Sequence, residues 1–379
     1  MKYIQRAALQ QLEVLLEPNK VLVLLGARRV GKTQLIRTYL QQHPNQKTLQ
    51  LNGDDLSDVR LLEDRSVANY QRLLSSIELL VIDEAQNIPD IGLCLKLIVD
   101  QIPGIKVLAT GSSMFDLSNR LGEPLVGRKN TLFLYPLAQL ELSKTENYKE
   151  TQEKLEQRLL YGSYPELEQY TTAEQKQRYL NAIVNDYLLK DILTFDGIRN
   201  SAKIYDLLRL VALQLGKEVS LQELGNQLQL SKNTVERYLD LLSKVFVLFK
   251  IEGFSRNLRK EITKTSRWYF YDNGIRNALI SNFQPLSLRT DSGELWENYL
   301  VAERIKKQAY TEMYKRNHFW RTYDQQEIDW LEADGDALSA FEFKWSDTKT
   351  GKIPKAFEKA YSEASYLVIN RTNYLEFIC

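Results

Sequence analysis

Residues 26 to 33 read Gly26-Ala27-Arg28-Arg29-Val30-Gly31-Lys32-Thr33, two glycines followed by a cation and a hydroxyl at a spacing that suits the holding of a phosphate chain. Glycine at both positions lets the backbone turn tightly, so that successive N–H groups converge on an anion. A helix starting here aims its positive N-terminal end at the same point. Lys32 then reaches the outer phosphates, and Thr33 offers a hydroxyl to Mg2+. Fifty residues on, the stretch 77–84 runs Ile-Glu-Leu-Leu-Val-Ile-Asp-Glu, an apolar run ending in two carboxylates. Asp83 is suited to hold Mg2+ directly or through water, and Glu84 to orient and activate an attacking water. Together these residues imply ATP and Mg2+ as ligands and ATP hydrolysis as the reaction.

Two further groups bear on that chemistry. The run Lys106–Ala109 ends in Thr110-Gly111-Ser112-Ser113, which sets hydroxyls beside the outer phosphate if this strand lies between the two motif strands. Thr110 and Ser112 are the candidates; an ordinary turn is the alternative for each. Arg120 and Arg128 precede the next apolar run. A cation there can complete the nucleotide site of a neighbouring subunit, which implies a homo-oligomer, whereas the commoner fate of such an arginine is the solvated surface.

The elements that must position these residues follow from the hydrophobic pattern. Apolar runs at 21–25, 48–51, 79–82, 106–109 and 131–134 alternate with helical patterns, so residues 1–136 are expected to be an α/β core with a parallel five-stranded sheet covered on both faces. Residues 137–200 turn to amphipathic helix and are expected to form a helical lid. Over 201–280 two short helices, split by the turn at 228–231, precede two strand-like runs, the order of a winged helix-turn-helix. Ser220-Leu-Gln-Glu223 is a capping box, and Ser231 can cap the second helix. At its start Lys232, Asn233, Thr234 and Arg237 are donors of the kind that contact bases and phosphates of double-stranded DNA. The expected wing, 255–267, carries Arg256, Arg259, Lys260, Lys264 and Arg267 against the single acid Glu261, a basic patch for phosphates. A protein-docking role is the competing reading of such a module.

The phosphate loop, Asp83-Glu84-Ala-Gln86, Thr110-Gly-Ser-Ser113 and Gly127-Arg128 before Phe133-Leu-Tyr-Pro-Leu137 resemble the prokaryotic AAA-type P-loop ATPases in which a C-terminal domain of unassigned function follows the ATPase core. Tyr161-Gly-Ser-Tyr-Pro-Glu166, Tyr187-Leu-Leu-Lys-Asp191, Tyr271-Asp-Asn-Gly274 and Gly293-Glu-Leu-Trp-Glu297 resemble that second part.

The last stretch, 281–379, reads helix, three strands, helix. Glu342-Phe-Lys344 sits in an apolar run whose period of two puts Glu342 and Lys344 on one face. Asp329 lies on the preceding strand and Glu297 on the helix before it. This arrangement resembles the restriction-endonuclease-like fold, which implies Mg2+ on Asp329 and Glu342 with Glu297 nearby, Lys344 positioning a water, and an ATP-gated DNA nuclease as the alternative function. A salt-bridged strand pair explains the same residues without metal.

Bulk properties add exclusions. Lys and Arg number 50 against 49 Asp and Glu, a net charge of +1, so any nucleic-acid binding must be patch-based. Two cysteines, Cys94 and Cys379, and two histidines, His43 and His318, fit neither a disulfide framework nor zinc. The first residues lack a signal peptide's apolar segment and no run approaches the ~18 apolar residues of a membrane span, so a cytoplasmic protein with no membrane contact is expected.

Overall fold

The computed structural model describes residues 4–112, 124–188, 201–255, 266–322, 324–347 and 351–379. They fall into two compact units: one holds Gln5–Tyr135 with Lys244–Phe246, the other holds the rest.

In the first unit, β1 (Val21–Leu25), β2 (Thr48–Asn52), β3 (Leu79–Asp83), β4 (Lys106–Gly111) and β5 (Lys129–Phe133) form one sheet in the order β2-β3-β4-β1-β5. Every pairing is parallel. All five residues of β1 are buried, as a continuous Val/Leu run requires when helices cover both faces. The helices Lys32–Gln42 and Ile91–Gln101 bury Leu35, Ile36 and Tyr39, and Ile91, Leu95 and Ile98, respectively. Because β4 lies between β1 and β3, the loops after all three strands leave from one edge of the sheet. That edge carries residues 26–33, 83–84 and 110–112.

The second unit contains a seven-stranded mixed sheet built from β6 (Glu218–Val219), β7 (Leu248–Gly253), β8 (Ser266–Phe270), β9 (Arg316–Arg321), β10 (Glu327–Asp334), β11 (Ala337–Phe343) and β12 (Ser365–Ile369). Its order is β12-β11-β10-β9-β7-β8-β6. The helix-turn-helix pair is present as Leu221–Leu228 and Lys232–Lys244. Its two following strands do not close a separate small domain, however. Parallel pairing of β7 with β9, at Glu252 with His318 and Gly253 with Phe319, makes them part of the same sheet as β10 to β12. The expected break at 280/281 therefore falls inside one unit. Such an edge-to-edge join leaves no linker composition in the sequence.

The motifs Tyr161–Glu166 and Tyr271–Gly274 meet as a packing joint. Asp272 is buried and accepts hydrogen bonds from the N–H groups of Ser163 at 2.7 Å, Gly274 at 2.8 Å and Ile275 at 3.3 Å. Burial pushes its carboxyl up, against the pull of Lys306 and those N–H groups. Asn273 donates to the carbonyls of Leu159 and Leu295. Asn298, fully buried, donates to Phe270 O at 3.1 Å and accepts from Phe270 N at 2.8 Å. A Cβ at Gly274 would sit 2.0 Å from the carbonyl oxygen of Tyr161, so only glycine allows this approach.

Nearby, Asp291 receives Arg276 at 2.6 Å and both Arg289 Nε and Nη2 at 2.8 Å. Burial alone would raise its carboxyl, but the hydrogen bonds from Arg289 and Arg276 and their charges hold it down at about 2. An acid whose folded pKa is depressed stabilises the fold above its unfolded value of 3.8 and loses that contribution as pH falls toward about 2. Asp291→Asn is expected to lower the unfolding free energy at pH 7 by roughly 1–2 kcal/mol, discounted for partial exposure. Urea titrations at pH 7 and pH 3 should show the deficit shrinking at the lower pH.

Candidate functional site

At the sheet edge after β1, the loop folds as its glycines dictate. Gly31 adopts φ 98° and Arg29 φ 66°, both left-handed. At Gly26 a Cβ would lie 2.1 Å from the carbonyl oxygen of Leu134, so the loop passes too close to the end of β5 for any side chain. Val30 is fully buried and Ala27 nearly so, which anchors the loop, while Arg28 is half-buried and Arg29 exposed. The helix Lys32–Gln42 starts immediately, with Gly31 at its N-cap. Lys32 is 7% exposed, and its Nζ donates to the loop carbonyls of Gly26 at 2.8 Å and Ala27 at 3.1 Å. The ammonium is thereby held inside the curve of the loop.

One residue outside the sequence motif locks this geometry. Arg6, 8% exposed, donates to Val30 O and to Tyr135 O, each at 2.6 Å. It ties the loop to the chain segment beyond β5. No sequence spacing could have revealed it, since its partners lie 24 and 129 positions away.

The carboxylates at the end of β3 meet the loop. Thr33 Oγ1 donates to Asp83 Oδ2 at 2.9 Å. Thr110 Oγ1, fully buried on β4, donates to Asp83 Oδ1 and accepts from Glu84 N at 3.0 Å. Ser112, on the same edge, is buried. Glu84 is left-handed at φ 50°, a conformation uncommon for a residue with a side chain. Gln86 Nε2 donates to Glu84 Oε2 at 2.6 Å, holding the carboxylate from one side; the sequence reading assigned Gln86 no role. Lys32, Thr33, Asp83, Glu84 and Thr110 are thus one constellation at the ends of three adjacent strands. A buried ammonium in an N–H-rich loop fits a polyphosphate, and the adjacent Thr33 hydroxyl and Asp83 carboxylate fit a Mg2+ that keeps most of its other positions for water and phosphate.

Arg128 is elsewhere. It precedes β5, whose Lys129 aligns with Val21 at the start of β1, so it sits at the opposite edge of the sheet, about 13 Å along the strands from the loop. Its Nε donates to Asp100 at 2.6 Å, and the side chain is 39% exposed. It cannot serve the nucleotide site of its own chain. Arg120 lies outside the described residues.

In the second unit Lys232, Asn233 and Arg237 are exposed on the first turns of the helix Lys232–Lys244, and Thr234 is half-buried with its N–H bonded to Ser231 Oγ at 3.1 Å. Val235, Leu239 and Leu242 are buried on the other face. Arg256, Arg259, Lys260 and Lys264 lie outside the described residues. Arg267, counted in the wing patch from its sequence position, is a correction: it is 4% exposed on β8 and faces carboxylates rather than solvent. Arg267 and the three residues after it on β8 are all buried, so the strand is covered on both faces.

Glu297, Asp329, Glu342 and Lys344 are near one another, but not as a metal site. Among the described residues, no group of three or more His, Cys, Asp or Glu could hold a metal ion. Asp329 Oδ2 accepts from Phe343 N at 2.8 Å, Glu297 Oε1 accepts from Tyr269 Oη at 2.7 Å, and Glu342 pairs with Lys344. Burial pushes Glu297 up to about 7 despite the opposing charge of Arg267, and it raises Asp329 well above the carboxylate range, helped by the nearby charges of Glu297 and Glu342. The expected Mg2+ on this set is not supported.

A five-stranded parallel sheet with the phosphate loop after β1, and the carboxylates of Asp83 and Glu84 at the end of β3 two places away across β4, is the P-loop NTPase fold. Residues 18–143 match the family model "AAA domain". Residues 152–286 and 292–377 match models of two domains of unknown function, DUF8612 and DUF4143. Similar curated proteins include uncharacterized protein MJ1544 of Methanocaldococcus jannaschii, 24% identical over 93% of this chain and 81% of that one. Uncharacterized protein Rv2008c of Mycobacterium tuberculosis is 25% identical over 94% of this chain and 77% of that one. Among solved structures, a RuvB mutant of Thermotoga maritima aligns at TM-score 0.32 and 16% identity, covering 64% of this chain and 86% of that one. AMPPCP-bound DnaA from Aquifex aeolicus aligns at TM-score 0.29 and 18% identity over 62% and 85%. No helix among the described residues is long and apolar enough to cross a membrane.

Proposed function

We propose that the chain is an ATP hydrolase that works as a homo-oligomer on double-stranded DNA. The observation that carries hydrolysis is the Thr33–Asp83–Thr110 hydrogen-bond network beside Glu84 and the loop-held Lys32. When bound, Mg2+ would neutralise the charge that develops on the phosphates. The backbone of residues 26–31 and the ammonium of Lys32 would hold the outer phosphates, with Thr33 and Asp83 as the Mg2+ ligands. Glu84, fixed by Gln86 and by its own N–H on Thr110, would accept the proton of the attacking water. Thr110 would couple the positions of the two carboxylates. The oligomer is proposed from Arg128, which is half-buried and paired with Asp100 at the far sheet edge and would act only on a neighbour's nucleotide.

Support for DNA comes from Lys232, Asn233 and Arg237, exposed side by side on the second helix of a capped helix-turn-helix. Charge reversal of Lys232 and Arg237 to Glu is expected to weaken duplex binding by about tenfold or more and to reduce the slope of log affinity against log salt by about two. Fluorescence anisotropy at several salt concentrations makes this comparison, and an unchanged affinity would remove DNA from the proposal while leaving hydrolysis standing. The nuclease reading is not carried forward, because its carboxylates do not converge on a metal position.

A further inference from the structure

The carboxylates Glu297, Asp329 and Glu327 surround a space that one side chain occupies. Arg267 reaches it from β8. Its Nη2 donates to Glu327 Oε2 at 2.9 Å, and its Nη1 lies 3.6 Å from Glu297 Oε1 and 4.0 Å from Asp329 Oδ1. The guanidinium stacks over Phe319 with 4.6 Å between its carbon and the ring centroid, which closes one face. On the other elements, Tyr269 Oη is bonded to Glu297, Lys344 to Glu342, and the backbone of Phe343 to Asp329. Gly216 closes over Glu297: a Cβ there would be 3.0 Å from its carboxylate oxygen. The register of β9 against β10 shifts between Ile328 and Leu331, a local irregularity at Asp329.

We propose that Arg267 is a built-in replacement for a divalent cation, so that this carboxylate cluster is a closed, metal-independent site that does not cleave nucleic acid. Buried carboxylates demand a positive partner, and the guanidinium, 3.6 Å from Glu297 and 4.0 Å from Asp329, supplies one in the space a divalent cation would need. The ion pairs join the helix Ser292–Tyr310 (Glu297), β8 (Arg267) and β10 (Glu327 and Asp329). They fasten the strands after the helix-turn-helix to the C-terminal strands. The cluster's work is thereby mechanical, and any DNA held by the unit is held intact. This inference is independent of ATP hydrolysis.

The test uses the full chain without nucleotide. Thermal unfolding is followed with EDTA and with millimolar Mn2+ for wild type, Arg267→Met and the pair Arg267→Met with Asp329→Asn. Plasmid nicking is assayed in parallel. Wild type is expected to show no Mn2+ shift that depends on Asp329, and no nicking. Arg267→Met is expected to melt several degrees lower and to recover with Mn2+, and the double variant to lose that recovery. Arg267→Lys, which keeps a cation, is expected to be insensitive to Mn2+. The inference is overturned if wild type nicks plasmid in a manner lost in Glu342→Ala. It is also overturned if wild type gains an Mn2+ shift abolished by Asp329→Asn but kept in Asp83→Asn, or if folded Arg267→Met shows no response to Mn2+. Should Arg267→Met fail to fold, the wild-type comparisons decide alone.

Discussion

Glu84→Gln is expected to lower kcat for ATP hydrolysis by about 10²–10⁴-fold, the usual contribution of a positioned general base, while nucleotide affinity stays near wild type. The asymmetry follows from where Glu84 sits. Phosphate contacts are assigned to the 26–33 loop and Mg2+ contacts to Thr33 and Asp83, none of which depends on the Glu84 carboxylate. Glutamine preserves its size and leaves the Glu84 N–H bonded to Thr110. What disappears is the proton acceptor. Single-turnover hydrolysis alongside equilibrium binding of a fluorescent nucleotide separates the two quantities. A parallel loss of affinity would show that Glu84 shapes the site rather than acting on water.

The largest expected effect on stability belongs to Arg304. Its Nε and Nη2 donate to the two oxygens of Glu332 at 2.6 and 2.8 Å, and its Nη1 donates to Phe377 O at 2.6 Å. Trp330 Nε1 and Gln308 Nε2 both donate to Glu332 Oε1 at 2.9 Å, and every one of these side chains is buried. Burial works against the charge of Glu332, yet the hydrogen bonds and charge of Arg304 hold its carboxyl below the ordinary value. Arg304→Met leaves that carboxylate without its cation and should cost about 3–5 kcal/mol. Arg304→Met combined with Glu332→Gln removes the stranded charge and should cost less than the single change. Denaturant titration of the single and double variants checks the order.

The nucleotide site was largely legible because its chemistry is local. Gly26 to Thr33 are contiguous, and Asp83, Glu84 and Thr110 each end an apolar run, so strand order alone brings them together. Arg6 was not legible because it works through a tertiary contact, and Gln86 stood only among the residues of the resemblance, with no role assigned to it. In the second unit the helix-turn-helix pair, the helix Ser292–Tyr310 and strands β7 to β11 followed from period and capping, whereas β6, β12 and the short helices Asn273–Leu279 and Tyr374–Ile378 did not. Arg267 shows where sequence reasoning runs out. Among five basic residues in a row of candidates it looked like surface, and only the burial of β8 and the distant Glu297, Glu327 and Asp329 turn it into an ion-pair centre. The Tyr161 and Tyr271 motifs carried only a resemblance in the sequence, and in the structure they pack together, with Asp272 and Asn273 bonded to backbone.

Phosphate release from ATP by the purified full chain, compared between wild type and Lys32→Ala with Mg2+ and with or without duplex DNA, tests the central claim most directly. The Lys32 ammonium is held inside the phosphate loop by Gly26 O and Ala27 O, so its removal should reduce turnover by at least about 10²-fold. Turnover by wild type no greater than that of Lys32→Ala under all of these conditions would contradict the account.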